Sequence, residues 1–141
     1  MAFITKKARS GIDLMVCLAE SYPKVMHLYE FTNDMGMNVK QLEQIAMPLS
    51  RAGYVQSLHG KYGGYRLASN PENYTIGDII RVLDKPIVPV DCLATQYNTC
   101  EKCDTCHMLD YWEGLTELVN DYFDKVTLKD VLNWKKEKAE G

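Results

Sequence analysis

The sequence predicts a mostly α-helical fold with one small β-hairpin, an α+β arrangement, in a chain of 141 residues. Apolar residues recur at helical spacing in several short segments, which is typical of amphipathic helices. A run of β-forming residues is interrupted by the glycine-rich residues 60–64, which is typical of a tight hairpin. The composition, 46% hydrophobic and 25% charged, is that of a globular protein with a core.

Three helices are predicted before the hairpin. The first covers residues 5–21, and the second covers residues 28–35 and ends at Gly36. The third begins after Asn38, which has the capping-box spacing to Gln41, and it ends at Gly53. Pro48 lies inside this third helix and predicts a kink there, because proline removes one backbone hydrogen bond. Two helices joined by a short glycine-containing turn form a helix-turn-helix.

The hairpin follows the third helix directly. Residues 54–59 and 65–68 are predicted to form its strands, and the glycines between them permit the positive φ angles of a tight turn. A helix-turn-helix followed by a hairpin is the winged-helix arrangement, which favours DNA binding. A small α+β domain without a nucleic-acid role is the alternative.

Three further helices are predicted in the second half of the chain. Thr75 and Asp78 have the spacing of a capping box that opens a fourth helix, and prolines at positions 86 and 89 end it. Residues 108–123 carry apolar side chains at helical spacing, which predicts a helix of about five turns. Thr127 caps a last short helix, and the charged residues 135–141 are expected to fray.

Four of the five cysteines are crowded into fifteen residues. They are Cys92, Cys100, Cys103 and Cys106, and His107 follows directly. Thiolates bind soft metals, so the cluster indicates an iron–sulfur or zinc site, with metal-free thiol-redox or disulfide chemistry as the other interpretation. Cys17 lies far upstream on the first helix and is expected to be a small buried hydrophobe.

The charge distribution places a nucleic-acid surface in the first part of the chain. Residues 1–85 contain ten basic and eight acidic residues, whereas residues 86–141 contain six and eleven. The sequence has no secretory signal and no apolar stretch of membrane-spanning length, so a cytoplasmic location is predicted. Phosphate-binding glycine motifs and nucleophile elbows are also missing, so an enzyme is not predicted and no small-molecule substrate is evident. A protein-interaction module and an iron–sulfur carrier are the remaining alternatives.

The chain resembles the iron–sulfur cluster regulator family of bacterial winged-helix transcription factors, the group that includes IscR, NsrR and CymR. The resemblance rests on the cysteine segment followed by Trp112 and on residues 4–9 (ITKKAR), 41–45 (QLEQI), 49–55 (LSRAGYV), 59–67 (HGKYGGYRL) and 76–80 (IGDII). It implies a homodimeric transcriptional regulator, such as a repressor, that binds double-stranded promoter DNA and senses iron–sulfur cluster, iron, redox or nitric-oxide status. Residues 1–85 would form the DNA-binding domain, 86–107 the cluster-binding loop, and 108–141 the dimerisation helix and tail. The alternative for residues 108–123 is that their apolar face belongs to the chain's own core.

The winged-helix arrangement assigns three groups of DNA-binding residues. The third helix would enter the major groove and read base edges with Asn38, Val39, Lys40, Gln41, Glu43 and Gln44. Phosphates would be contacted by Lys6, Lys7, Arg9 and Arg51. The wing tip would approach the minor groove with His59, Gly60, Lys61, Tyr62 and Gly63. An ordinary solvated helix face is the alternative for each of the helix residues.

The resemblance also implies the ligands of a 2Fe–2S cluster. The matching positions are Cys92, Cys100 and Cys106, with Cys103 or His107 as the fourth ligand. The histidine position of IscR-like members is occupied by Leu109, and Arg9 stands about where NsrR-type members supply an acidic ligand. The alternatives are zinc or no metal. A change of state in the loop would alter the spacing of the two recognition helices, which must match major grooves ~34 Å apart.

Overall fold

The computed structural model describes residues 4–61, 63–84 and 107–140. The helices in these residues are α1 (Lys6–Ser21), α2 (Leu28–Met35), α3 (Val39–Arg51), α4 (Ile76–Leu83), α5 (Leu109–Lys125) and α6 (Leu128–Glu140). The strands are β1 (Met26–His27), β2 (Val55–Leu58) and β3 (Gly64–Leu67), and a short 3-10 helix spans Pro71–Asn73. The predicted mostly helical fold with a small hairpin is therefore confirmed.

The start of α1, the end of α2 and the start of α3 lie where the sequence predicts them. Thr5 caps α1, and α2 ends at Gly36, whose φ of 65° is left-handed. At the start of α3 the Gln41 backbone N–H donates to Asn38 Oδ1 at 2.8 Å, and the Asn38 N–H donates to Gln41 Oε1 at 3.2 Å. These reciprocal bonds satisfy donors that the first turn of a helix leaves unpaired. Helix α3 continues through Pro48 to Arg51.

The sheet contains a third strand that the sequence did not predict. Strand β1 pairs antiparallel with β3, and β3 pairs antiparallel with β2, so the order is β1-β3-β2. Residue Met26 lies opposite Tyr65, and His27 lies opposite Gly64. An added Cβ at Gly64 would lie 1.9 Å from the carbonyl oxygen of Met26, so this pairing requires glycine. A two-residue strand is too short to show the alternation that identifies strands in a sequence.

The main core joins the helix-turn-helix to the C-terminal helix. Its largest fully buried side chains are Phe31, Leu14, Met15, Leu18, Leu42, Leu49, Leu67, Ile79 and Leu128. Leu128 belongs to α6, which packs against α1 and continues to Glu140, so this helix is longer than the short one predicted. A bridge between Thr75 and Thr127 ties the start of α4 to the start of α6.

Arg81 of α4 forms hydrogen bonds with two residues of α5. The Arg81 guanidinium donates to Asp124 at 2.8 and 3.1 Å and to the Asn120 side-chain oxygen at 2.7 Å. The hydrogen bonds from Arg81 lower the pKa of the Asp124 carboxyl, and those to Asp124 raise the pKa of Arg81. At Gly77 an added Cβ would lie 2.4 Å from an Asp124 oxygen, so the small residue lets the two helices approach.

Candidate nucleic-acid interface

Helix α3 presents one polar face to solvent and one apolar face to the core. Its buried residues are Leu42, Ile45, Ala46 and Leu49. The predicted base-reading residues are all exposed: Asn38, Val39, Lys40, Gln41, Glu43 and Gln44. Val39 is 43% exposed at the first position of the helix, where an apolar side chain can contact a thymine methyl group. The same amphipathic pattern that builds the core therefore leaves this row of side chains accessible.

Helices α1 and α3 converge on one open groove of about 860 Å³. Three of the predicted phosphate-binding cations line it, Lys6 and Lys7 from α1 and Arg51 from the end of α3. Gln41 and Gln44 line the same groove, so cations and amide side chains share one surface. A surface that combines cations with amide groups can bind a nucleic acid, because the cations contact phosphates and the amides form hydrogen bonds with base edges.

Some residues of this groove were not predicted, and one predicted residue lies outside it. Ser10, Met37 and Met47 are among its lining residues, and Met47 is 51% exposed. The helical period of α3 could have identified Met47, because it lies one turn after Glu43 on the exposed face. Arg9 is exposed on α1 but does not line the groove.

The wing turn depends on its glycines. The Gly63 N–H donates to the Gly60 carbonyl at 3.0 Å, and Gly60 has a φ of 101°, which side chains with a Cβ rarely adopt. An added Cβ at Gly63 would lie 2.5 Å from the Leu58 carbonyl oxygen. His59, Gly60 and Lys61 are exposed at the tip, and Gly63 is half-buried. Tyr62 lies outside the described residues.

Histidine 27 connects the wing to the helix-turn-helix. Its Nδ1 lies 3.3 Å from the Gly63 carbonyl oxygen, and its backbone N–H donates to Glu30 Oε2 at 2.7 Å. Its ring stacks on the exposed ring of Tyr29, with centroids 5.9 Å apart and an angle of 10°. His27 and Gly63 are 36 positions apart. No periodicity or local motif could have revealed this contact.

The charge of Glu43 acts on Tyr65 of the wing strand β3. Burial, followed by the charge of Glu43, raises the pKa of Tyr65 on β3. On the same strand, Arg66 Nε donates to Gln56 Oε1 of β2 at 2.6 Å, so this bond links the two strands of the hairpin.

The predicted metal ligands lie mostly outside the described part of the chain. These are Cys92, Cys100, Cys103 and Cys106. His107 is exposed in the turn before α5. Among residues 4–61, 63–84 and 107–140, no group of three or more His, Cys, Asp or Glu side chains could hold a metal ion. Cys17 is half-buried and packs against the main core, so its predicted burial is only partial.

One face of helix α5 packs against other parts of the chain, and another face is exposed to solvent. Val119 and Phe123 pack against a small cluster that contains Ala8 and Ile80. A second row remains in solvent: Tyr111 is 62% exposed, Leu118 66% and Tyr122 69%. Their spacing of seven and four residues places these three side chains on one stripe. We call Tyr111, Leu118 and Tyr122 the α5 stripe.

Across the described ranges, each helix is too short or too polar to span a lipid bilayer.

The known proteins to which this chain is similar include several transcriptional regulators. Residues 4–134 match the model of the Rrf2 family, described as an iron-dependent transcriptional regulator. The transcriptional regulator CymR of Bacillus subtilis is 34% identical over 134 residues, which cover 93% of this chain and 90% of CymR. Its structure, named as that of the global cysteine regulator, has a TM-score of 0.74 at 33% identity and covers 95% of this chain and 98% of CymR.

Two further structures are similar over nearly the whole chain. IscR of T. potens has a TM-score of 0.75 at 28% identity and covers 96% of this chain and 89% of IscR. The oxidised form of Staphylococcus aureus CymR has a TM-score of 0.67 at 28% identity and covers 93% and 95% of the two chains. The relatives named above are transcriptional regulators, not enzymes, and they share the winged-helix fold described here.

Proposed function

Because the chain belongs to the Rrf2 family of transcriptional regulators, we propose that it binds promoter DNA as a homodimer and responds to the state of its cysteine segment. The observation that carries this proposal is the groove in which Lys6, Lys7 and Arg51 lie beside Gln41 and Gln44. One surface thus offers cations for phosphates and amides for bases.

The roles follow from the chemistry of each side chain. An amide such as that of Gln41 or Gln44 can form two hydrogen bonds with adenine, and the Glu43 carboxylate can accept from the N4 amino group of cytosine. Lys6, Lys7 and Arg51 supply the sequence-independent attraction to phosphates, which weakens as salt rises. At the wing, Lys61 brings a positive charge to the minor groove, while the turn glycines keep the backbone compact.

The α5 stripe supports a homodimer. Monomeric proteins rarely expose large contiguous apolar patches, and three large side chains more than 60% exposed on one helix face form such a patch. The same stripe on a second copy would complete a two-fold symmetric contact. The dimer would place two α3 helices on successive major grooves about 34 Å apart.

The donor set of the cysteine segment fits a 2Fe–2S cluster. Four thiols within fifteen residues match the all-cysteine ligation of such clusters, and His107 stands next to the last of them. We propose Cys92, Cys100 and Cys106 as ligands, with Cys103 or His107 completing the set. When bound, the cluster would supply a redox-active group whose integrity reports on oxidants or iron supply.

The chain's own contacts provide a route from this segment to the DNA surface. The segment is joined to α4 at one end and to α5 at the other. Arg81 connects these two helices through Asp124 and Asn120, so a shift of either helix is passed to the other. Helix α4 also packs against α1 and α3, which line the groove.

Cluster-free thiol-redox regulation is the second candidate function. Similarity to CymR, including a CymR structure named as an oxidised form, favours it. The spacing of Cys100, Cys103 and Cys106 also suits zinc. Anaerobically purified protein with absorption between ~320 and ~460 nm and about two irons and two sulfides per chain would favour the cluster. An unchanged spectrum in Cys106→Ala would contradict the cluster assignment, and colourless protein after reconstitution would favour thiols or zinc.

DNA binding itself is tested by selecting duplexes of about 30 base pairs from a random library with the wild-type protein. We expect selected sequences with two related half-sites, and affinity that falls steeply as NaCl rises from about 50 to 200 mM. Gln44→Ala should relax the preference at one position of each half-site, whereas Arg51→Ala should weaken binding to all duplexes alike. Failure to enrich any sequence would contradict the proposal.

A further inference from the structure

The residue that ends helix α4 also holds the start of helix α1. Asp84 is the C-cap of α4, and Thr5 is the N-cap of α1. The Thr5 hydroxyl donates to Asp84 Oδ1 at 2.7 Å, and the Thr5 backbone N–H donates to Asp84 Oδ2 at 3.3 Å. The two residues are 79 positions apart. Both carboxylate oxygens of Asp84 therefore accept hydrogen bonds from Thr5.

Thr5 is also bonded within its own helix. Its hydroxyl accepts the Ala8 N–H at 3.1 Å, and its carbonyl accepts the Arg9 N–H at 3.0 Å. The hydroxyl thus caps α1 as an acceptor while it donates to Asp84. The next two residues, Lys6 and Lys7, line the groove beside α3. The Thr5–Asp84 contact therefore fixes the backbone from which the two lysines extend.

We propose that Asp84 is a positioning residue for DNA binding, which acts through Thr5 to direct Lys6 and Lys7 toward the phosphate backbone. This rests on the proposed function, because it assumes that the groove binds DNA. Asp84 is itself an anion, and an anion near DNA repels phosphates. Removal of its charge would tighten binding if electrostatics alone mattered, whereas the positioning role requires that removal weakens binding.

Asp84 lies at the start of the cysteine segment. Residues 85–106, which contain four cysteines, follow it directly. A displacement at the start of that segment would act first on Asp84 and then on Thr5. The contact is thus a short connection between the cysteine segment and the lysines of the groove.

The test compares wild-type protein with Asp84→Ala and Thr5→Val on the selected duplex. We expect both variants to bind on the order of fivefold more weakly, as for loss of a charge-assisted contact. The slope of log affinity against log salt should fall by about 2 to 4 for the dimer, because up to two phosphate contacts are lost in each protomer. The double variant should bind no more weakly than Thr5→Val alone, because Thr5→Val already removes the hydroxyl contact with Asp84 together with the Ala8 cap.

Three matched variants separate positioning from general effects. Thr5→Ser keeps the hydroxyl and should restore the wild-type salt slope. Thr127→Val removes the side chain that accepts the Asp130 N–H at the start of α6, so it loses a comparable cap far from the groove. Glu72→Gln removes a negative charge from the first part of the chain without touching α1. Both Thr127→Val and Glu72→Gln should keep the wild-type slope.

The outcomes are distinct. Unchanged or tighter binding by Asp84→Ala, with an unchanged salt slope, would overturn the positioning role while wild-type DNA binding stands. If Thr127→Val and Thr5→Val reduce the slope of log affinity against log salt equally, the positioning role is also overturned. The weaker salt dependence would then result from lost helix stability. A wild-type protein that binds no duplex would overturn the proposed function and this inference together.

Discussion

Replacement of Leu118 by glutamate should break the proposed homodimer into monomers. Leu118 lies at the middle of the α5 stripe and is 66% exposed in the single chain. Full burial of a leucine side chain contributes about 1.5–3 kcal/mol, so the exposed part can contribute about 1–2 kcal/mol per protomer. A two-fold contact uses the residue twice, which gives about 2–4 kcal/mol.

This magnitude corresponds to a measurable change in dimer affinity. Loss of about 2–4 kcal/mol raises the dissociation constant by about 30-fold to 1,000-fold, and burial of an unpaired carboxylate would add to it. Sedimentation velocity over a dilution series gives the dissociation constant of wild type and Leu118→Glu directly. DNA affinity should fall together with dimer affinity, because a monomer can occupy only one half-site.

Two controls show whether the stripe itself is responsible. Leu118→Met conserves volume and apolar character, so the dimer should persist. Trp134→Glu places the same charge at an apolar residue of α6 that is 49% exposed but lies outside the α5 stripe, and it should also leave the dimer intact. A Leu118→Glu protein with native helix content and wild-type dimer affinity would refute the assignment of the stripe as the interface.

Three further changes test the fold around the site. Gly64→Ala forces a Cβ to within 1.9 Å of the Met26 carbonyl, so urea denaturation should show a loss of about 1–3 kcal/mol, and wild-type stability would contradict the β1–β3 pairing. Asp124→Asn weakens the Arg81 contact by less than about 1 kcal/mol, because the carboxylate is half exposed. Because Arg81 lowers the pKa of Asp124, the stability from this contact is present above pH 3.8 and is lost as pH falls through the pKa of Asp124 in the folded protein. The melting temperatures of wild type and variant should therefore converge in acid. A difference in melting temperature that stays constant with pH would refute this linkage. Leu128→Ala should cost about 2–5 kcal/mol, and a small effect would show that α6 does not share the main core.

The sequence by itself determined the helices and the chemistry available to them. Asn38 with Gln41 and Thr75 with Asp78 form capping boxes within four residues, so local spacing was enough to place these helix starts. Gly36 ended α2 for an equally local reason, since it has a left-handed φ. The amphipathic period also assigned which residues of α3 are exposed. The thiol donors of the cysteine segment could likewise be read from composition and spacing, and their arrangement stays a prediction.

Tertiary structure decided what lies beside these elements. Strand β1 exists because β3 offers it a partner, and its two residues carry no pattern of their own. The contacts from His27 to Gly63 and from Thr5 to Asp84 join residues 36 and 79 positions apart. Isolated contacts of this kind leave no periodic pattern in a sequence. Periodicity predicted an apolar face on α5 but not how it is divided between core and solvent. That division depends on how α4 and α5 pack, which involves Phe123 against Ile80 as well as Arg81 against Asp124.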